Sequence, residues 1–140
     1  MCYNMSKLKI LVPLDGTEKS MHSLDWLKNF IAKEDTEVTL INVIQVYFDS
    51  TQLDAAELEN VKNHSAKVLE EAAARLEGYK INKLSAHGII GDIIVKEAKD
   101  GKYDMIIMTK SSVKGISRII GSVTNKVIHH SDVTVVVVPE

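Results

Sequence analysis

Between Thr109 and Val123 the chain gathers groups suited to holding an anion. The stretch reads Thr-Lys-Ser-Ser-Val-Lys-Gly-Ile-Ser-Arg-Ile-Ile-Gly-Ser-Val. It carries four hydroxyls (Thr109, Ser111, Ser112, Ser117), three cations (Lys110, Lys114, Arg118) and Gly115 and Gly121, with Ser122 directly after Gly121. An apolar run, Met105 to Met108, precedes it, and a helix-like segment follows to about His130. The stretch is therefore a strand-to-helix connection. Free backbone N–H groups at a helix start, small residues and nearby cations together favour a phosphate. Loops of Ser, Lys and Gly also serve as plain solvated connectors, so the stretch by itself leaves both readings open.

Other chemistry is scarce. G-x4-G-K-[ST], G-x-G-x-x-G and H-E-x-x-H are all missing. Of the five histidines, His22 and His64 read as solvent-facing on helices. His129 and His130 fall near a helix C-terminus, where a cation is favoured. Adjacent residues do not share a helical face, so that pair is a poor chelate. His87 stands at a strand end with no partner and reads as structural. No nucleophile, base and orienting group can be assembled. Asp54, Glu57, Glu59, Glu70, Glu71 and Glu77 read as the solvated face of one helix.

The elements that must position the loop follow from hydrophobic spacing. Residues 9–14 form a first strand, with Pro13 at its end. Asp15-Gly16-Thr17 is a turn, and Thr17 caps a helix over 18–33. That helix turns Met21, Leu24, Leu27 and Ile31 inward, with Trp26 and Phe30 widening the stripe. Residues 38–44 are nearly all apolar, as expected of a strand covered on both faces. A loop runs from Gln45 to Ser50, and a long helix from Thr51 to Leu76 ends near Gly78. Residues 81–87 are a more polar strand, nearer a sheet edge. Gly88 to Asp92 turns into a helix with Ile90, Ile94 and Ala98 inward, which Gly101 ends. A fourth strand covers 104–108, and a fourth helix turns Ile116, Ile120, Val123 and Val127 inward. Residues 133–138 are the fifth strand. This alternation predicts an α/β sandwich with a mostly parallel sheet. Ligands of such sheets bind at the carboxyl ends of the strands where the order reverses.

Composition bounds the rest. The chain has 140 residues, 45% hydrophobic and 26% charged, with a net charge of −2. That is one globular domain, read as residues 8–140 behind a flexible N-terminus of residues 1–7. Without a basic bias, neither a nucleic acid nor a membrane surface is an expected partner. The single cysteine, Cys2, excludes a disulfide framework and fits a reducing, cytoplasmic setting.

Three features together resemble the universal stress protein family. They are the opening Lys-Ile-Leu-Val-Pro-Leu-Asp-Gly-Thr-Glu (9–18), Gly88 leading to Tyr103-Asp104-Met105-Ile106-Ile107-Met108, and Gly121-Ser122-Val123 with the closing valine strand and Pro139. Their order and spacing cover residues 8 to 139. The resemblance implies a three-layer sandwich of the adenine nucleotide alpha hydrolase-like kind, with a five-stranded parallel sheet of order 3-2-1-4-5 and four helices. It implies a cytoplasmic homodimer paired through Val133 to Val138, acting under stress, and no efficient catalysis.

Many family members bind ATP through G-x2-G-x9-G-[ST]. Here Gly121-Ser122 matches its end, with Val123 beyond. Counted from the strand end, the first two glycines become Thr109 and Ser112, with a spacer one residue short. Counted back from Gly121, they become Met108 and Ser111. On the same resemblance, Asp15 accepts hydrogen bonds from an adenosine, Pro13 and Leu14 line the base, and Val43 forms its apolar wall. Ser122 offers a hydroxyl and an amide to a phosphate. The implied ligand is ATP or AMP, with Mg²⁺ accompanying only ATP. The replaced glycines support the alternative of a dimer without nucleotide that acts through an unidentified protein partner.

Overall fold

A computed structural model describes residues 7–45, 53–113 and 116–139, with the side chains of 112–113 and 116–119 undescribed. Expectations for residues 1–6, the loop at 46–52, Lys114 and Gly115 lie outside the described residues. So do those for the side chains of Ser112, Ser117 and Arg118.

The central sheet contains β1 (Leu8–Pro13), β2 (Thr36–Gln45), β3 (Lys80–Gly88), β4 (Met105–Thr109) and β7 (Thr134–Val138). Their spatial order is β3-β2-β1-β4-β7, and every pairing is parallel. The predicted order 3-2-1-4-5 is therefore the observed one. The reversal lies between β1 and β4.

Strand alternation divides the core in two. Ile10, Val12, Leu14, Leu40 and Ile107 face one side, packed with Met21, Leu24 and Leu27 of the first helical segment and Val68, Leu69 and Ala72 of α2 (Ala55–Arg75). Leu11, Ile41, Ile106 and Met108 face the other side. They pack with Ile94 and Ala98 of α3 (Ile90–Asp100) and Val127 of α4 (Ser122–His130). Each buried leucine or isoleucine stabilises the fold by about 1.5–3 kcal/mol, so both layers are strongly anchored. β2 is buried on both faces, as its continuous apolar run predicts. β3 alternates half-buried with exposed residues and is a sheet edge.

Four expectations need correction. The helix over 18–33 is a 3-10 turn (Lys19–Met21) followed by α1 (His22–Phe30), which ends where Ile31 becomes extended. Phe30 is 69% exposed, not buried, and lies against Trp26 with ring centroids 5.0 Å apart. α2 begins only at Ala55, because Asp54 and Glu57 form a reciprocal capping box with bonds of 2.8 and 2.9 Å.

The fourth correction concerns the organising loop. Residues 116–120 are not helical: β6 (Ile116–Ile120) pairs antiparallel with β5 (Ser112–Val113). Three isoleucines in five positions disfavour a helix through χ1 crowding and favour a strand. Helix α4 starts only after Gly121, and Ile120 is 45% exposed.

A candidate nucleotide cleft at the sheet reversal

The carboxyl ends of β1, β2 and β4 meet the starts of α3 and α4 around one cleft. Pro13, Leu14, Asp15, Val43, Thr109 and Val123, all named from the sequence, line it. Ser20, Ile41, Ile90, Ile94, Met108 and Ser111 also line it. Ile90 and Ile94 face inward as expected, packing in the core layer of α3, and they also form a wall of the cleft. The closed part measures about 120 Å³. That is below the ~300 Å³ at which pockets for whole drug-sized ligands begin. A space of that size matches a single ring system and not a whole nucleotide.

The first wall is fixed by backbone stapling. Leu14 N–H donates to the Ile41 carbonyl (2.9 Å), and buried Asn42 Nδ2 donates to the Leu14 carbonyl (2.8 Å). The end of β1 thus cannot move apart from β2. Asp15 then turns on itself. Its Oδ1 accepts from the Thr17 N–H (2.9 Å) and the Thr17 hydroxyl (2.6 Å), while Gly16 sits at φ 90°. This is the Asx-turn reading of an Asp-Gly pair. The Thr17 hydroxyl in turn accepts from the Ser20 N–H (3.2 Å), although the 3-10 turn has Glu18 and not Thr17 at its N-cap.

Thr109 enters the cleft with its hydroxyl already engaged. It accepts from the Ser23 N–H (3.0 Å) and donates to the Ser20 carbonyl (3.2 Å). It ties β4 to the start of α1 instead of pointing a donor at a ligand.

Ser111 holds the other end of the loop. Its carbonyl accepts from Gly121 N–H (2.6 Å), and its N–H donates to Thr124 Oγ1 (2.8 Å). Its hydroxyl pairs with the Thr124 hydroxyl (2.6 Å) and accepts from Thr124 N–H (3.2 Å). Helix α4 has glycine at its N-cap and so no cap of its own; Ser111 supplies one from across the hairpin. Gly121 is needed for this approach, since a Cβ there would lie 2.7 Å from Ser111 Oγ. The signal in the sequence was a glycine N-cap with hydroxyls at positions 111 and 124, ready to substitute for it.

Among the described residues, the amides of Ser122 and Val123 have no hydrogen-bond partner. Ser122 itself lines a neighbouring cleft with Gln45, Gly91, Asp92 and Lys126, where Lys126 Nζ pairs with Asp92 at 2.9 Å. Val123 borders both clefts. His87 lines a different groove, with Lys62 and Glu70 of α2 and Lys83 of β3. Among the described residues no group of three or more His, Cys, Asp or Glu side chains could hold a metal ion. No described helix is long and apolar enough to cross a membrane.

Residues 8–139 match the model of the universal stress protein family. Two universal stress proteins of Methanocaldococcus jannaschii are 30% and 31% identical. Each alignment covers 93% of this chain, and 81% and 93% of the respective relatives. The fold also superposes on a universal stress protein in complex with cAMP, at TM-score 0.73 and 20% identity, covering 96% of this chain and 98% of that one. A family protein from Arabidopsis thaliana with AMP bound gives TM-score 0.73 at 16% identity, over 95% and 92% of the two chains. At those identities the two structures speak for the shared fold alone.

Proposed function

The chain belongs to the universal stress protein family, and from that premise we propose that its cleft at the β1/β4 reversal binds an adenine nucleotide. In this reading the protein is a small cytoplasmic, homodimeric stress-response module that signals or protects and does not turn over substrate efficiently. The observation that carries the proposal is convergence. Pro13, Leu14, Val43 and Val123 offer an apolar slot for one ring, Asp15 lies at its rim, and two unpartnered amides begin α4 beside it. A purine suits such a slot because it is flat and largely apolar. A phosphate suits the amides because the helix start carries partial positive charge. That two proteins sharing this fold are seen in complex with cAMP and with AMP sets the ligand class to be tried first.

A second reading has its own support. The Thr109 hydroxyl and the Gly121 amide, at the two ends of the loop read from the sequence as a phosphate site, are engaged within the chain. A dimer that works without nucleotide, through a protein partner, fits those bonds.

Thermal unfolding of nucleotide-stripped protein decides between the two. Ligand at 100 times Kd stabilises the native state by about 2.7 kcal/mol, several degrees in Tm at this size. The expected result is such a shift with AMP or ATP–Mg²⁺, abolished in Val43→Glu, which places a carboxylate against the slot. No shift with any adenine nucleotide, and none released from the purified protein, would leave the second reading.

A further inference from the structure

Away from the cleft at the sheet reversal, a second recess opens between α2 and β3. We infer that it binds a small organic anion, a carboxylate or phosphate group borne on a short apolar body. From α2 the groove is lined by Lys62, Ala66, Leu69 and Glu70, and from β3 by Lys83, Ser85 and His87. None of these residues lines the first cleft. The groove measures about 390 Å³, within the ~300–1,000 Å³ range of small-ligand sites.

The two elements meet in rungs. Residues 83, 85 and 87 alternate onto one face of β3. Lys83 pairs with Glu70, and the hydroxyls of Ser85 and Ser65 share a hydrogen bond at 2.5 Å. Residue numbers thus rise along β3 as they fall along α2. Two strand residues advance about 6.6 Å, and so do roughly four helical residues at ~1.5 Å each. One further step brings His87 opposite Lys62. This third rung differs in kind from the other two. An ammonium and an imidazole N–H supply donors there, and no carboxylate of the groove is left to accept them, because Glu70 is taken by Lys83. Among the described residues neither Lys62 nor His87 has a hydrogen-bond or ion-pair partner, and Glu59, one turn before Lys62, makes no ion pair with it. An oxyanion between Lys62 and His87 completes the rung. Ala66 and Leu69, four and seven residues after Lys62, continue the same helical face and offer an apolar track for the body attached to that anion.

Amide NMR of the full chain, titrated with acetate, hexanoate and hexyl phosphate, tests this. Hexanoate and hexyl phosphate are expected to give saturable shifts at Lys62, Ser85 and His87, and acetate, which lacks the apolar body, weaker ones. The tighter of the first two tells a carboxylate site from a phosphate site. Lys62→Ala and His87→Ala should each weaken binding roughly tenfold, the scale of one hydrogen bond to a charged group. Glu70→Gln frees Lys83 within the groove and should tighten it. Lys96→Ala makes the same charge change as Lys62→Ala, but on α3 outside the groove, and should leave the affinity where it is. All four positions are exposed, so the variants are expected to fold. Equal losses in Lys62→Ala and Lys96→Ala would reduce the effect to net charge and overturn the inference. So would shifts confined to the first cleft, or no saturable shift with any of the three probes.

Discussion

Single residues in this cleft carry two kinds of demand, and the internal one is met first. Thr109 and Ser111 have the hydroxyls that a phosphate loop would use, yet both complete the fold by satisfying orphan amides at the starts of α1 and α4. An unsatisfied buried donor costs about 1–3 kcal/mol, so such groups are engaged before any ligand arrives. Gly121 shows the same priority. Its tightness against Ser111 predicts that Gly121→Ala lowers stability by about 1–3 kcal/mol, the range for overpacking, measured by urea unfolding. A Gly121 variant retaining full stability would mean that Ser111 can shift aside. For the same reason a bulkier residue at 121 is a poor probe of phosphate contact, since it disturbs the helix start whether or not a ligand binds.

At the level of elements, hydrophobic spacing placed every strand of the central sheet and the body of each helix, and it failed where two periodicities overlapped. Ile116 and Ile120 lie four apart, as on a helical face, but they belong to β6, where a nearby partner strand and β-branched side chains prevail. In α1 the spacing was right and its extent was not: the helix stops at Phe30, leaving that ring outside the core. This yields a contrast within one helix. Leu27→Ala, at a fully buried position, should cost about 2–5 kcal/mol. Phe30→Ser should stay within about 0.5 kcal/mol, as surface substitutions do. Chemical denaturation of the two variants checks this, and a large loss at Phe30 would show that its ring is covered in solution.

For the molecule as a whole, the question is what covers β7. Among the described residues it pairs only with β4, and it is an apolar strand without charge at one edge of the sheet. Such an edge invites another strand, and pairing with the β7 of a second copy would satisfy it. Val136→Lys is therefore expected to shift a dimer toward monomer in sedimentation velocity, with circular dichroism unchanged to show that the fold survives. An unchanged dimer would remove this strand from the interface. The sequence by itself determined the α/β class, the polar edge at β3 and the loops eligible for a ligand, because burial periodicity and turn chemistry are local properties. Through the family likeness it also pointed to Pro13, Leu14, Asp15, Val43 and Val123. Only the tertiary structure decided that Thr109 and Ser111 spend their hydroxyls inside the fold, that Ile90 and Ile94 wall the cleft, and that Ser122 borders the neighbouring one. Those outcomes depend on which donors meet which acceptors between segments up to 89 residues apart, and no local pattern encodes that pairing.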